Sequence, residues 1–133
     1  MDSYDFKGLE SKWQKQWEID GIANCDVNSN KNNFYNLCMY PYPSGDLHMG
    51  HIRNYTIGDV ITRYKQKNGF NVMSPMGWDS FGLPAENAAI KTGIHPKKFT
   101  EERISNMRNQ IKRLGSLYDW KREVAAHDRD YYK

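Results

Sequence analysis

Two histidines three positions apart, His48 and His51, are the residues of this sequence whose type and spacing could do chemistry. They lie in PSGDLHMGHIRN, residues 43–54, where a Pro-Ser-Gly turn leads into a helical pattern and Gly50 separates the two rings. Residues three apart on a helix share one face, so both imidazoles can act on a single group. Such a pair has three possible roles: metal binding, hydrogen bonding within a core, and phosphate binding at a helix N-terminus.

The surrounding sequence argues against the first two roles. A zinc site needs three or four ligands, and the other histidines, His95 and His127, are remote in sequence, with no Cys or carboxylate at supporting spacing near the pair. We therefore predict no metal site. Core hydrogen bonding is the ordinary role of a lone histidine, but a pair around a glycine, just after a strand and a turn, favours a functional role.

Phosphate binding agrees best with the elements around the pair. FYNLCMY, residues 34–40, predicts a buried strand, and residues 48–67 have a helical pattern. The free N–H groups and positive dipole end of that helix would face the carboxyl edge of a parallel sheet, where nucleotides dock. Imidazoles there can donate hydrogen bonds to phosphate oxygens, and Gly50, lacking Cβ, would let an adenine ring approach the backbone. The GxGxxG and GxxxxGK[ST] signatures are absent.

The elements that position the pair form a strand–helix–strand unit. After the helix, Gly69 suits a left-handed C-cap, and NVMSPMG, residues 71–77, predicts a second short strand interrupted by Pro75. Strand, helix and strand over about forty residues indicate a right-handed parallel crossover, and hence the α/β class. The apolar positions predicted along this helix are Ile52, Ile57, Val60, Ile61 and Tyr64.

Three further helices are predicted. The first carries an apolar stripe and stops at Asp20-Gly21. A second, short helix has Pro84 near its start and Gly93 after its end. The last helix begins with Thr100 as its N-cap and runs to about Tyr118. The stripe of the first helix is Phe6, Leu9, Trp13 and Trp17, and that of the last is Ile104, Met107, Ile111, Leu114 and Tyr118. We interpret the last stripe as core packing.

Composition limits the class of protein. With 133 residues, 38% hydrophobic and 14% aromatic, the chain is long enough for one modest core and too apolar for disorder. No apolar run approaches the roughly 18 residues of a membrane span, and Met1 is not followed by a signal peptide, so we expect a cytoplasmic protein without a membrane partner.

Cys25 and Cys38 lack CxxC spacing and are interpreted as incidental thiols. Residues 91–133 carry 11 Lys/Arg against 6 Asp/Glu, which permits contact with a polyanion, although charge alone favours a solvated helix face.

The motifs resemble one family in particular. HMGH is similar to the His-Ile-Gly-His signature of class I aminoacyl-tRNA synthetases, and the segments at 39–64 and 77–90 (MYPYPSGDLHMGHIRNYTIGDVITRY and GWDSFGLPAENAAI) resemble the leucyl-tRNA synthetases. The isoleucine enzymes usually carry Cys-His where this chain has Ser80 and Phe81. The resemblance runs from LESKWQKQWE through YDW and to the end of the chain.

This resemblance implies a Rossmann-type catalytic domain that activates leucine with ATP, accompanied by Mg²⁺, and transfers it to the 3′ end of tRNA(Leu). Residues 1–33 would form an N-terminal helix and polar loop, and residues 34–133 the N-terminal half of the catalytic domain. His48 and His51 would contact the ATP phosphates and stabilise the transition state. The nucleotide-binding residues would be Pro41, Tyr42, Pro43, Ser44, Gly45, Gly50 and Asn54. The amino-acid-binding residues would be Met39, Tyr40, Tyr42 and Asp79, with Asp79 on the α-ammonium and Tyr40 replacing the family's Leu or Phe.

The resemblance also implies that parts of the enzyme lie elsewhere. The Lys-Met-Ser-Lys-Ser loop of the second half-domain is absent, and DRDYYK resembles a truncation, so we expect a fragment whose partner is the rest of the synthetase. Two other interpretations stay open: a stand-alone nucleotide-binding or interaction module, and a small HxGH-type adenylyltransferase. The last accounts for the histidines but not for the Gly-Trp-Asp segment.

Overall fold

The computed structural model describes residues 4–133, apart from the side chain of Ala85, and confirms the α/β class. Its helices are α1 (Phe6–Asp20), α2 (Met49–Lys67), α3 (Leu83–Thr92), α4 (Pro96–Arg113) and α5 (Arg129–Tyr132). Its strands are β1 (Asn33–Tyr35), β2 (Asn71–Met73), β3 (Pro75–Trp78) and β4 (Asp119–Ala125). Within the described residues β1 pairs with β2 and β3 with β4, and both pairs are parallel. None of the described helices is long and apolar enough to cross a membrane.

The β1–α2–β2 unit is the predicted parallel crossover, but its first strand is shorter than predicted. β1 ends at Tyr35, and only one further ladder bond follows, from Asn36 N–H to the Met73 carbonyl (2.9 Å). The side chain of Asn36 turns inward instead and donates to the Gly58 carbonyl and to Thr62 Oγ1, both at 2.8 Å. The strand predicted over residues 34–40 is therefore wrong beyond Tyr35, because the chain there bonds to α2 rather than to a neighbouring strand.

The second predicted strand is present as two short pieces. β2 and β3 are separated by Ser74, whose carbonyl accepts the Asp119 N–H at 2.8 Å and so leads the ladder onto β4. Strand β4 was not predicted from the sequence. Its first residue, Asp119, is fully buried and accepts hydrogen bonds from the backbone of Cys25 and from Arg122.

Helix α4 begins and ends earlier than predicted. His95 is its N-cap, with Nδ1 accepting the Lys97 N–H at 3.3 Å, and Pro96 occupies the first turn. Thr100 is consequently buried inside the helix rather than capping it. At the other end the helix stops at Arg113, and Gly115 adopts a left-handed φ of 72°. A proline at the first helical position is favoured because its missing N–H would be unpaired there anyway.

The core lies between α2, α4 and the β3–β4 pair. Its largest fully buried side chains include Trp78, Tyr55, Tyr118, Met107 and Ile111. Glu123 joins α4 to β4, because one carboxylate oxygen accepts both the Trp78 indole N–H (2.6 Å) and the Arg108 guanidinium (2.7 Å). The predicted α4 stripe is confirmed as core at Ile104, Met107 and Ile111, but Leu114 is exposed and Tyr118, although buried, lies beyond the helix.

Two predicted apolar faces are on the surface. The residues of α2 that are buried are Tyr55, Gly58 and Thr62. The predicted positions Ile57, Val60, Ile61 and Tyr64 are exposed, and no residue of α1 is buried, although Phe6, Leu9, Trp13 and Trp17 stand at helical spacing. The buried face of α2 is built from an aromatic ring, a glycine and a threonine, which periodicity of large aliphatic residues does not reveal.

Gly58 sets how closely α2 packs on the segment after β1. A Cβ at this position would overlap the Sγ of Cys38. We predict that Gly58→Ala lowers the free energy of unfolding by about 1–2 kcal/mol, since overpacking costs roughly 1–3 kcal/mol and outweighs the gain of up to about 1 kcal/mol from helix propensity. Urea unfolding measures this change.

The control for that prediction is Gly45→Ala, because a Cβ there has no neighbour within 4 Å. The double variant Gly58→Ala with Cys38→Ala should recover part of the loss, since it removes the atom that the new methyl group meets. A Gly58→Ala protein as stable as the wild type would contradict the close packing of α2.

Candidate active site

The histidine pair forms the N-terminus of α2. His48 is the N-cap residue in extended conformation, and its Nδ1 accepts the Gly50 N–H at 3.1 Å. The Nδ1 of His51 accepts the backbone N–H of His48 at 3.2 Å. The two rings consequently lie side by side, with centroids 3.9 Å apart and planes inclined by 30°. Each imidazole thus occupies the place that an aspartate, serine or glutamate side chain takes in an ordinary helix cap.

These caps determine which ring nitrogens are available. A neutral imidazole has one N–H and one acceptor nitrogen, so an Nδ1 that accepts a backbone N–H leaves the proton on Nε2. In the described part of the chain, neither Nε2 of His48 nor that of His51 has a hydrogen-bond partner. The site therefore presents two adjacent N–H donors at the positive end of a 19-residue helix.

Gly50 is required by this arrangement. A Cβ on Gly50 would lie 2.9 Å from Cε1 of the His48 ring, closer than such atoms approach. The absence of a side chain thus lets the His48 ring fold over the first turn of α2. This is a second role for Gly50 beside the predicted approach of adenine, and only the geometry reveals it.

His51 is held in its neutral form. Its ring stacks on that of buried Tyr55, with planes inclined by 12° and centroids 6.0 Å apart. Burial, and then the neighbouring His48, lower the pKa of His51 below its ordinary value of 6.5. Protonation of Nδ1 would also break the bond from His48 N–H. The lowered pKa keeps the ring neutral, and the bond to Nδ1 selects the Nε2–H tautomer.

This lowered pKa predicts a pH dependence of stability. At pH values between the pKa of His51 in the folded chain and 6.5, the unfolded chain binds more protons than the folded chain does. The free energy of unfolding should therefore fall as the pH drops below about 6.5, and it should be fully recovered above that pH. Ring ¹H–¹⁵N spectra recorded against pH give the His51 pKa, and urea unfolding gives the stability. In the His51→Asn variant the slope between pH 5 and 7 should be smaller than in the wild type. Titration of His51 above 6.5 would contradict the structure.

The loop before the helix joins the histidines to the second strand segment. Pro41 and Pro43 are buried, Tyr42 and Ser44 are exposed, and Gly45 is half-buried. The Asp79 N–H donates to the Pro41 carbonyl at 3.1 Å, so the segment that ends β3 lies against this loop. The amide nitrogen of Asn54, one turn after His51, is buried without a partner among the described residues.

Asp79 lies at one wall of a cleft of about 350 Å³. Met39 and Tyr40 also line it, whereas Tyr42 does not. The remaining lining residues are Leu37, Cys38, Trp78, Val124, Ala126 and Tyr131. Among these described lining residues Asp79 is the only charged one, so the cleft combines one carboxylate with apolar and aromatic walls. A small molecule with an ammonium group and an apolar side chain matches this combination.

Gly77 leaves room for the Tyr40 ring in this cleft. A Cβ on Gly77 would overlap the Tyr40 ring, so the aromatic ring lies directly on the β3 backbone. Burial raises the pKa of Tyr40 above 10.0, with smaller contributions from Tyr35 and Tyr131, and the hydroxyl stays neutral. The sequence analysis did not assign Gly77 a role, although a glycine inside a strand pattern signals a close approach of this kind.

The described residues contain no group of three or more His, Cys, Asp or Glu side chains placed to hold a metal ion. His127 is bound elsewhere, with Nδ1 2.6 Å from the hydroxyl of Ser80, and His95 caps α4. The chemistry available is therefore hydrogen-bond donation by the histidine pair and, in the cleft, a single carboxylate between apolar walls.

Comparison with known proteins places this geometry in a family. The family model described as tRNA synthetases class I (M) matches residues 34–128. The chain belongs to the class I tRNA synthetases. That range includes the histidine pair and Asp79, and the family resemblance predicted from the motifs is confirmed.

The curated relatives of this chain include leucine–tRNA ligases. The ligase of Nitratidesulfovibrio vulgaris strain DP4 is 59% identical over 130 residues, which are 98% of this chain and 16% of that protein. The ligase of Fusobacterium nucleatum is 57% identical over the whole chain and 16% of its own length. The leucine–tRNA ligase subunit alpha of Aquifex aeolicus is 56% identical over the whole chain and 21% of its length. The chain thus spans about a sixth to a fifth of these relatives.

Two solved structures resemble the fold. The ternary complex of Agrobacterium radiobacter K84 agnB2 LeuRS with tRNA and LeuAMS superposes with a TM-score of 0.94 at 46% identity, covering 97% of this chain and 16% of that one. Methionyl-tRNA synthetase of Mycobacterium tuberculosis with methionyl-adenylate gives 0.70 at 24% identity, covering 74% and 19%. The second likeness supports the class I fold alone, whereas the first agrees with the curated relatives.

Proposed function

We propose that this chain is the N-terminal part of the catalytic domain of a leucine–tRNA ligase, which activates leucine with ATP and transfers it to tRNA(Leu). The observation that carries the proposal is the link between two Nε2–H donors and a cleft with a single carboxylate. His51 stacks on the Tyr55 ring, and the Tyr55 hydroxyl donates to the carbonyl of Met39, which lines that cleft, at 3.4 Å. The Pro41–Asp79 hydrogen bond (3.1 Å) joins the loop before the donors to the end of β3. Adenylate formation needs such an arrangement, because the amino acid must attack a phosphate held next to it.

The Asp79 cleft is the proposed leucine site. Asp79 pairs with the α-ammonium, and the apolar walls, which include Met39, Tyr40 and Leu37, receive the rest of the amino acid. Held in this way, the leucine carboxylate attacks the α-phosphorus of ATP. A bond forms between the carboxylate oxygen and the α-phosphorus. The bond from the α-phosphorus to the oxygen that bridges the α- and β-phosphates breaks, and pyrophosphate leaves with the electron pair of that bond.

The histidine pair is the proposed phosphate site. His48 and His51, each with its Nε2–H free, donate to phosphate oxygens as negative charge develops in the in-line displacement. Because their Nδ1 atoms are fixed to the helix backbone, the donors are in place before ATP binds. Mg²⁺ enters with ATP as part of the substrate.

The remaining nucleotide-binding assignments are part of the same proposal. The loop residues Pro41, Tyr42, Pro43, Ser44 and Gly45 border the nucleotide, Gly50 faces adenine, and Asn54 supports the phosphate side. The buried, unpartnered amide nitrogen of Asn54 supports a polar role in this region. The exposed Tyr42 ring is free to border ATP, and its predicted contact with the amino acid belongs to this proposal as well.

The proposed partners are the 3′ end of tRNA(Leu) and the rest of the synthetase, in a cytoplasmic enzyme. Exposed apolar residues on α2 support a covering by further protein, since monomeric proteins rarely expose continuous apolar patches. The homologous segment is part of a named subunit in Aquifex aeolicus, so a relative of this chain occurs in a divided ligase.

A chimeric ligase tests the proposal. Residues 4–133 of this chain replace the matching segment of the Nitratidesulfovibrio vulgaris ligase, which is 59% identical over 130 residues. We expect leucine-dependent exchange of pyrophosphate into ATP within about tenfold of the parent, and no exchange with methionine. A folded chimera without leucine-dependent exchange would overturn the proposal. Adenylyl transfer that ignores leucine would favour a small HxGH-type adenylyltransferase, and ATP binding without exchange a binding module.

A further inference from the structure

We infer that Gln110, assisted by Asn106, is a positioning residue for the histidine pair. Asn106 Nδ2 donates to Asp46 Oδ1 at 2.6 Å, and Gln110 Nε2 donates to the same oxygen at 3.3 Å. Gln110 Oε1 also accepts the backbone N–H of Leu47 at 3.0 Å. Two side chains of α4 thus hold the two residues that immediately precede His48.

Helix α4, which supplies these side chains, is anchored in the core, whereas the segment that they contact has no regular structure. Ile104, Met107 and Ile111 anchor α4 in the core, and Asn106 and Gln110, four apart, share another face of the same helix. Residues 41–48 form no helix or strand, so side-chain bonds contribute to their path beside the backbone bond at Pro41. The side chain of Leu47 packs against the core, which leaves its backbone facing Gln110.

The link from Gln110 to the chemistry runs through the N-cap. His48 must keep its extended backbone, with φ −122° and ψ 173°, for its N–H to reach Nδ1 of His51 at 3.2 Å. If Leu47 is released, that backbone is free to rotate, and the bond that fixes the His51 tautomer is lost. Glutamine suits this position because a single amide both accepts from Leu47 and donates to Asp46.

The inference has a structural part and a catalytic part, and only the catalytic part rests on the proposed function. The structural part is that the Gln110 amide fixes the ring tautomers of the pair. The catalytic part is that misplaced donors slow adenylate formation, because displacement of an active-site group by about 1 Å can cost on the order of a hundredfold in rate.

Long-range ¹H–¹⁵N spectra of the histidine rings in the 133-residue chain test the structural part. At pH 7.5 the wild type should show His48 and His51 as single Nε2–H tautomers. We expect Gln110→Ala to shift both rings toward a mixture of tautomers. The matched control is Asn109→Ala, an exposed amide on the same helix, which should leave the spectra unchanged. Fixed tautomers in a folded Gln110→Ala chain would overturn the inference.

Exchanging the hydrogen-bond donor and acceptor between positions 110 and 46 distinguishes loss of this bond from a general loss of folding. Gln110→Glu keeps the acceptor for Leu47 but places a carboxylate against Asp46, so it should disturb the tautomers. Adding Asp46→Asn restores a donor opposite the new carboxylate and should restore the tautomers. A double variant as disturbed as Gln110→Glu alone would contradict a direct bond between the two positions.

Pyrophosphate exchange by the chimeric ligase tests the catalytic part. Gln110→Ala should lower kcat by about ten- to a hundredfold and leave the leucine KM within about twofold. Asn109→Ala should leave both unchanged. An unchanged kcat together with altered tautomers would remove the catalytic role. If the unsubstituted chimera is inactive, the proposed function fails, while the spectra still decide whether Gln110 positions the pair.

Discussion

The His51→Asn variant of the chimeric ligase should activate leucine about ten- to a thousandfold more slowly than the unsubstituted chimera, with an almost unchanged leucine KM. Asparagine keeps an oxygen close to the place of Nδ1, so the bond from His48 N–H at 3.2 Å survives. What it removes is the Nε2–H donor. His51→Ala should lower kcat over the same range and destabilise the chain as well, because it removes the cap together with the donor.

The comparison of these two variants separates chemistry from folding. Pyrophosphate-exchange kinetics give kcat and KM, and urea unfolding of the isolated variants gives stability. Met49→Ala, in the same first turn with an exposed side chain, should change neither. Full turnover in His51→Asn would mean that the Nε2–H of this ring does not contact the reacting phosphate.

The second large effect is expected at the cleft. Asp79→Asn should raise the leucine KM by about ten- to a hundredfold, because a hydrogen bond to a charged group contributes roughly 1.5–3 kcal/mol and each 1.4 kcal/mol is a factor of ten. The ATP KM should change little, since the carboxylate pairs with leucine in the ground state. Asp79→Ala should have at least the same effect.

Glu102→Gln is the matched control for charge, since Glu102 is an exposed carboxylate on α4 away from the cleft. Exchange rates over a range of leucine concentrations, at saturating ATP, measure the effect. A normal leucine KM in Asp79→Asn would remove this residue from the amino-acid site. It would leave the histidine assignments untouched, because they depend on different atoms.

The parts of the fold that local chemistry determines were predicted from the sequence. Gly21 and Gly93 end their helices with φ values of 62° and 70°, and Gly69 follows α2 at 82°. Only glycine adopts such angles without strain, so each residue marks a helix end wherever the remainder of the chain lies. The parallel crossover was also predictable from local chemistry, because the chirality of the chain favours one hand for a strand–helix–strand unit.

Elements defined by distant contacts were not predicted. The sequence of β4, DWKREVA, alternates poorly, and it becomes a strand because Asp119 and Glu123 find partners far away in the chain. The start of α4 was predicted one turn late because Thr100 is a better general N-cap than His95. The structure uses the imidazole of His95 in that role and buries the threonine.

The candidate site shows the same division. The motifs and the family resemblance together led to the prediction that His48, His51 and Asp79 belong to one site, and that assignment stays a prediction. They do not predict that the histidines cap their own helix, that Gly77 receives the Tyr40 ring, or that Gln110 holds the preceding loop. Each of these depends on a side chain meeting backbone from another part of the fold.

Because Cys38 packs against Gly58, the reactivity of its thiol depends on how often α2 detaches locally. Cys38 and Cys25 are both free thiols with at most about a tenth of their surface exposed, so a local opening speeds the reaction of either with a thiol reagent. Cys38 gains exposure when α2 lifts from the segment after β1, whereas Cys25 gains exposure when the loop before β1 leaves Asp119. The two labelling rates, measured on the unmodified chain, would therefore tell how often the helix carrying the histidine pair detaches, independently of how often the N-terminal loop does.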